Sequence, residues 1–220
     1  DDLLESISGK KYLGSSGKVI MLFDEPIRWK DDTGDAGFDS CLKFFLNQRS
    51  LAELDKASAE VESGRADFVD GYYEAYCEGA ALRMLGHGRS YDSVMVFFKH
   101  LAHGKRGKEL PEVLDHVIGQ ILRHTTNGPE SLIFRRLLTP ADLTEEFFFP
   151  EGNIDNAMLT TGQLAWERTY RAPGAERHYQ FGPYENVSYC GAGAYPCGSI
   201  SCTAGYMCHM ELQRNFAQEP

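Results

Sequence analysis

Short apolar runs bounded by turn residues predict strands at five places along the chain. The segment 17–29, GKVIMLFDEPIRW, carries a compact apolar run that Pro26 ends. Pro within such a run marks the end of a strand, because it cannot donate to the ladder of hydrogen bonds. Four further strands are predicted at 41–48, 91–102, 130–139 and 185–190.

Apolar residues spaced three and four positions apart predict the helices. Ser50 followed by Glu53 forms a capping-box pattern that begins a helix. Its apolar stripe comprises Leu51, Leu54, Ala57 and Val61. A second helix is predicted over 110–126, with one face formed by Leu110, Val113, Leu114, Val117, Ile118, Ile121 and Leu122.

Two shorter patterns complete the predicted helices. Thr139 caps a short helix that has Pro140 at its first position. The stretch TAGYMCHMELQRNF, 203–216, predicts a helix near the end of the sequence. The segment 31–40 is predicted as a loop from its Gly and Asp content, and 68–81 fits a strand or a helix equally.

The order of these elements predicts the fold class. Strands and helices do not alternate strictly, which argues against a doubly wound parallel sheet. The prediction is an α+β fold, a mixed, largely antiparallel sheet with packed helices. It ends in a strand, a glycine-rich loop and a helix.

Composition and charge narrow the function classes. The 220 residues carry a net charge of −10, which argues against a nucleic-acid partner. The basic cluster HGKRGK at 103–108 predicts a solvated loop or, alternatively, an anion contact. No apolar run approaches the length of a transmembrane helix. The six cysteines are too few for a disulfide-dense scaffold and favour reduced thiols and a cytoplasmic location. A homo-oligomer is compatible with this composition.

The stretch NVSYCGAGAYPCGSISCTAGYMCHMELQR, 186–214, concentrates the candidate chemistry. Glycines before a helix can bring backbone N–H groups close to a ligand, and they can equally form a structural turn. Four cysteines and His209 are spaced C-x6-C-x4-C-x5-C-H. This spacing lacks the close pairs of a structural zinc site, so no metal is predicted. Disulfides within the cluster would require an oxidising compartment.

Two sequence blocks resemble the phytoene-desaturase-like FAD-dependent oxidoreductases. In the first block, 186–208, the residues shared with the flavin-contacting segment of that family are Tyr189, Cys190, Gly191, Gly193, Pro196, Gly198, Gly205 and Tyr206. In the second block, 132–159, the shared residues are Arg136, Leu138, Thr139, Pro140, Asp142, Leu143, Phe147, Gly152, Asn153 and Ile154. The stretch GSSGKVIMLFDEPIRW, 14–29, is similar to the strand that opens the substrate-covering region of the family.

The resemblance implies that the chain is the C-terminal part of a larger flavoprotein. Residues 1–185 would form the substrate-binding region, and 186–220 the flavin-contacting strand, loop and helix. FAD would be bound mostly by an N-terminal domain, so the chain alone is expected to be inactive. A small organic, apolar substrate is implied, and no catalytic residue is assigned. The implied cofactor-binding residues are Gly191, Ala192, Gly193, Tyr195, Pro196, Cys197, Gly198, Gly205 and Tyr206.

The sequence also departs from the family pattern. Tyr195 and Asn156 stand where the family has histidines, and Ala204 replaces a proline. Cys197 and Ser199 replace glycines, so their side chains could alter or block a flavin contact. The alternative function is therefore a non-catalytic binding domain on the same scaffold.

The tyrosines at 72, 73 and 76 are candidates for an apolar substrate cavity, or for ordinary packing.

Overall fold

The computed structural model describes residues 2–30, 41, 43–88, 90–164, 167–168, 173–196 and 201–217. The predicted loop at 31–40, and the candidate residues Cys197 and Gly198, lie outside the described residues. The chain divides into two compact units. We call Ser15–Phe147 the sheet unit, and Asp1–Gly14 together with Phe148–Pro220 the terminal unit.

A five-stranded sheet organises the sheet unit. Its strands are β1 (Gly17–Phe23), β2 (Lys43–Leu46), β3 (Tyr73–Cys77), β4 (Asp92–Phe98) and β5 (Leu132–Leu138). They lie in the order β2-β3-β4-β1-β5, and every neighbouring pair is antiparallel. The predicted α+β fold with a largely antiparallel sheet is thereby confirmed.

Alternation along the central strands divides the sheet into two faces. In β1 and β4, each buried residue is followed by a half-buried one, as the twofold repeat of a strand requires. One face forms the core of the unit and includes Val19, Val96 and Phe98, which are 0%, 0% and 1% exposed. The opposite face, called here the open face, carries the half-buried alternate residues, such as Ile20 and Met95.

The helices of the sheet unit follow the local signals in the sequence. They are α2 (Leu51–Glu62), α3 (Glu78–Met84), α4 (Pro111–Leu122) and α5 (Pro140–Phe147). The capping box of Ser50 and Glu53 is present at the start of α2. Thr139 and Asp142 cap α5 by exchanging hydrogen bonds between side chain and backbone. Helix α4 buries Val113, Val117, Ile118 and Ile121.

Three details differ from the sequence prediction. Strand β1 ends at Phe23, three residues before Pro26, because Asp24 N–H bonds to the Ser131 carbonyl outside the ladder. Leu51 is 75% exposed, although it belonged to the predicted apolar stripe of α2. The ambiguous segment 68–81 contains both alternatives in succession, since β3 leads directly into α3.

The terminal unit has fewer regular elements. It contains α1 (Asp2–Ser8), the short strand pair β6 (Gln180–Phe181) and β7 (Tyr184–Ser188), and α6 (Thr203–Phe216). Its small core is built from Tyr179, Ala194, Ala204 and Cys208. Helix α6 has the bounds that the sequence predicted. None of the helices in the described ranges is long and apolar enough to cross a membrane.

Candidate functional site

The glycine-rich loop begins directly after β7 in the terminal unit. Tyr189 N–H donates to the Tyr179 carbonyl at 2.8 Å, which continues the strand pairing up to the loop. The chain then turns, and Ala194 N–H donates to the Gly191 carbonyl at 3.0 Å. Ala194 is fully buried, and the Tyr195 carbonyl accepts a 3.1 Å bond from the Tyr179 hydroxyl. The described part of the loop, 191–196, is therefore fixed to the core of its unit.

In the described part of this loop, Gly193 is the glycine at which an added side chain would collide with a neighbour. A Cβ atom there would lie 2.6 Å from the Tyr189 hydroxyl and 3.4 Å from the Asn156 Cβ. A Cβ at Gly191 would make ordinary contacts at 3.6 Å, and one at Gly205 would meet nothing within 4 Å. At Gly193 the absence of a side chain thus lets the backbone approach the Tyr189 hydroxyl closely.

A cavity of about 450 Å³ lies beside Gly193 in the terminal unit. This volume lies within the range of about 300–1,000 Å³ that small-molecule pockets occupy. Apolar side chains provide most of its wall, and they include Leu3, Ile7, Phe148, Pro150, Phe181 and the ring of Tyr189. Polar groups come from Ser6, Lys10, Tyr12 and Asn156. The cavity therefore combines apolar walls with a few polar groups that could orient a ligand.

The two sequence blocks that carry the family resemblance meet at this cavity. Gly193 belongs to the glycine loop, and Asn156 follows Gly152-Asn153-Ile154 in the other block. Asn156 has a φ of +58°, in the left-handed region, and its N–H donates to the Asn153 carbonyl at 3.0 Å. Asn is among the non-glycine residues that tolerate this conformation. A tight turn thus brings Asn156 to the wall of the cavity.

Arg168 holds these two blocks together, although no pattern in the sequence predicts its role. Its side chain is 3% exposed. Nη2 donates to the Asp155 carbonyl at 2.7 Å and to the Ala192 carbonyl at 3.0 Å. Weaker contacts reach the carbonyl oxygens of Ala157 and Gln163. Arg168 lies in an irregular segment, where the sequence has no helical or strand periodicity. Its role is therefore identified by its hydrogen-bond partners in the folded structure.

Tyr12 and Tyr189 are the titratable hydroxyl groups of the cavity wall. The Tyr12 hydroxyl donates to the Ile7 carbonyl at 2.6 Å. Burial raises the pKa of Tyr12, and the neighbouring Tyr189 and Glu151 raise it further. Burial likewise raises the pKa of Tyr189. Both phenols therefore stay neutral at physiological pH and can take part in hydrogen bonds with a ligand.

The remaining candidate residues have varied positions. Ala192 bonds to Arg168, and Tyr195 bonds to Tyr179, so both help to fix the loop. Pro196 follows a cis peptide bond at the end of the described loop. Gly205 and Tyr206 lie in the first turn of α6 and are not among the residues that line the cavity, and Tyr206 is 64% exposed.

Within the described ranges, the structure contains no metal-binding cluster and no disulfide bond. No group of three or more His, Cys, Asp or Glu side chains in the described part of the chain could hold a metal ion. The described cysteines are free thiols, at positions 41, 77, 190, 202 and 208.

The tyrosines proposed for a substrate cavity separate onto the two faces of the sheet. Tyr73 is fully buried in the core, and its hydroxyl donates to Asp70. Tyr76 lies on the open face, where its hydroxyl donates to Glu74 at 3.0 Å. The Lys43 ammonium bonds to the same carboxylate at 2.7 Å and lies 4.7 Å from the Tyr76 ring centroid. Strand alternation therefore leaves Tyr76, and not Tyr73, for binding.

Comparison with known proteins points to an oxidoreductase-type region. No protein-family model matches the chain. Over 108 residues, 48% of its length, it is 32% identical to pyridine nucleotide-disulfide oxidoreductase domain-containing protein 2 of Mus musculus. Over 92 residues, 41% of its length, it is 32% identical to the protein of the same name from Rattus norvegicus. The matches span 18% and 15% of those proteins. The chain is thus similar, over less than half its length, to a small part of proteins named for an oxidoreductase domain.

Proposed function

We propose that this chain is the C-terminal part of an FAD-dependent oxidoreductase of the phytoene-desaturase-like type. The observation that carries the proposal is the meeting of Gly193 and Asn156 at one cavity. These residues come from two separate sequence blocks, and both blocks resemble segments of the same flavoprotein family. The similarity to oxidoreductase-domain proteins supports the same class.

The residues around the cavity fit a flavin ring. At Gly193 the backbone lies against the Tyr189 hydroxyl, which leaves no space for a side chain at this position of the cavity wall. The apolar wall, which includes Phe148 and Phe181, would exclude water from the ring. Lys10 would place a positive charge near it, and Asn156 would offer an amide for hydrogen bonding. Bound flavin would accept hydride equivalents from an organic substrate.

The open face of the sheet is the proposed surface for an apolar substrate. Ile20, Met95 and Phe97 lie there on the central strands. Lys43 and Glu74 form an ion pair towards the β2 edge, and Lys18 and Ser93 lie near the ends of the central strands, so the apolar part of the face is the middle of β1 and β4. We assign substrate binding to residues 1–185 and flavin contact to 186–220. The cavity draws on both segments, because Tyr189 and Gly193 belong to the second and the other lining residues, Asn156 among them, to the first.

Flavin titration of matched glycine variants tests the proposal. The chain would be titrated with riboflavin and with FAD while flavin fluorescence is followed. We expect riboflavin and FAD to bind with similar affinity. The proposed cavity would hold the flavin ring, which both compounds contain, whereas no site in the chain is assigned to the ADP half of FAD. Gly193→Val should abolish binding because its side chain would displace Tyr189, which forms part of the cavity wall. Gly205→Ala is the control, since its added methyl group meets nothing within 4 Å.

Two results would contradict the proposal. One is equal flavin affinity in folded Gly193→Val and Gly205→Ala proteins. The other is a longer parent polypeptide that is purified without visible flavin absorbance and that lacks a strand-GxGxxG-helix motif before this segment. Either result would favour the second candidate, a non-catalytic binding domain. The side chains of Cys197 and Ser199, at positions where the family has glycine, favour that candidate.

A further inference from the structure

Two thiols from separate elements meet in the core of the terminal unit. Cys190 follows β7 and is half-buried, and Cys208 lies in α6 and is 4% exposed. Both belong to the same packed cluster, together with Tyr179 and Ala204. The Cys190 side chain packs against the buried cluster that contains Cys208, and the two thiols are close enough to influence each other.

The two thiols have different access to solvent. Cys190 is the more accessible, whereas Cys208 is enclosed by the cluster. Burial raises the pKa of the Cys208 thiol, and the neighbouring Cys190 raises it further, while a hydrogen bond with the Ser188 side chain lowers it. An oxidant from solvent therefore reaches Cys190 first, and Cys208 is placed to react with the product.

We propose that Cys190 and Cys208 form a reversible dithiol-disulfide pair that responds to low-molecular-weight disulfides such as oxidised glutathione. The Cys190 thiolate attacks one sulfur of oxidised glutathione, the glutathione S–S bond breaks, and one glutathione thiolate leaves. The Cys208 thiolate then attacks the Cys190 sulfur of the mixed disulfide and releases the second glutathione thiolate. The protein loses two electrons, glutathione gains them, and the protons of the two protein thiols pass to the leaving thiolates.

The position of the pair gives the oxidation a structural consequence. Cys190 immediately precedes the glycine loop, and Cys208 lies in the second turn of the helix that follows it. A bond between them would therefore close a ring that contains residues 191–207. Closing the ring restricts the conformations available to the loop, as any cross-link does. This inference is independent of the proposed function, because it requires no flavin.

Thiol counting and peptide mapping of the 220-residue chain test the pair. The reduced protein would be incubated with oxidised glutathione, blocked with N-ethylmaleimide and digested without reduction. We expect the number of thiols titrated after denaturation to fall from six to four. Mass spectrometry should identify a peptide pair joined through Cys190 and Cys208, and dithiothreitol should restore all six thiols.

Three serine variants separate the steps. Cys208→Ser should stop the reaction at a glutathione adduct on Cys190, whereas Cys190→Ser should leave Cys208 unmodified because it is buried. Cys202→Ser is the matched control, since this exposed thiol lies in the same stretch, and it should leave the cross-link unchanged. A dominant cross-link through Cys197, or between Cys41 and Cys77, would overturn the proposal. So would six titratable thiols in the wild-type chain after the incubation.

Discussion

The two units of the chain are stabilised in different ways. In the sheet unit, alternating residues of β1, β3 and β4 fill a continuous apolar core. In the terminal unit the apolar cluster is small, and four buried polar side chains in the described ranges bond mainly to backbone groups. These side chains are Asn153, Gln163, Arg168 and Gln180, which are 9%, 6%, 3% and 4% exposed.

The two units also differ in backbone conformation, because positive φ angles at non-glycine residues are more frequent in the terminal unit. Of the seven described non-glycine residues with positive φ, five lie in the terminal unit. They are Phe148, Glu151, Asn156, Tyr179 and Cys202. Such conformations cost energy and persist where surrounding contacts enforce them. Two of the five, Phe148 and Asn156, line the candidate cavity. Regular elements thus provide the stable sheet, and irregular segments form the site.

The largest expected effect comes from the core of the sheet unit. Phe98 is 1% exposed and packs against Phe68 and Tyr73. Phe98→Ala should reduce the free energy of unfolding of this unit by about 3–5 kcal/mol, because a large buried ring is lost. Phe97→Ala, on the open face of the same strand, should reduce it by about 1 kcal/mol. Urea unfolding followed by circular dichroism measures both, and equal losses would contradict the assignment of the two faces.

The next effect should be confined to the terminal unit. Arg168→Met removes the bonds to the Asp155 and Ala192 carbonyls. The expected cost is about 2–3 kcal/mol, as for buried hydrogen bonds to a charged group. Hydrogen exchange should accelerate over 153–157 and 191–195, while β1 and β4 keep their protection.

Arg168→Lys is the conservative control for that experiment. Lysine keeps the positive charge but lacks the planar guanidinium group that donates to several carbonyls at once. The acceleration of hydrogen exchange in Arg168→Lys should therefore be smaller than in Arg168→Met. If exchange accelerates equally in the sheet unit, the two units do not differ in the way described.

A smaller effect is expected at the start of α2. The Ser50 hydroxyl accepts a hydrogen bond from Glu53 N–H at 3.3 Å, and the Glu53 carboxylate accepts one from Ser50 N–H at 2.9 Å. Ser50→Ala should reduce the free energy of unfolding of the sheet unit by about 1 kcal/mol. Ser63→Ala, at the other end of α2, should change it less. A larger loss for Ser63→Ala would show that the capping box contributes little.

The smallest effect concerns His100 and is confined to acidic solution. His100 is 6% exposed, and its Nδ1 lies 3.4 Å from the Ser58 hydroxyl. Burial lowers its pKa, Lys99 lowers it further, and Glu62 partly opposes this. The unfolded chain therefore binds the proton more tightly than the folded chain. Stability from this site is complete above the unfolded pKa of about 6.5 and is lost as the pH falls below it.

His100→Asn should weaken the pH dependence of stability, and asparagine should be accommodated at this position without a change in backbone conformation. His100 has a φ of +64°, and Asn adopts the left-handed region readily. Urea midpoints for the two proteins between about pH 7.5 and about pH 5.5, one unit on either side of that unfolded pKa, measure the difference. Parallel pH profiles would show that His100 makes no contribution.

The part of the candidate site that could be predicted from the sequence was found by matching residue types to motifs, and not from hydrophobic periodicity. The glycine loop and the Gly152-Asn153-Ile154 block were identified as matched motifs, and their meeting at Asn156 and Gly193 required the fold. Arg168, Tyr12 and Lys10 were missed, because their role depends on partners distant in the sequence. The assignment of flavin-contacting residues stays a prediction, and Cys197 and Gly198 lie outside the described residues.

The sequence by itself determined the regular elements of this protein. Helix caps and apolar periodicity act between residues a few positions apart, so the start of α2, the bounds of α6 and the strand character of β1 and β4 could be predicted. The tertiary structure alone decided the strand order, the choice of Tyr76 over Tyr73 for the open face, and the contact between Cys190 and Cys208. Such contacts join distant segments, and the free energy that selects them comes from packing the whole core rather than from local preference.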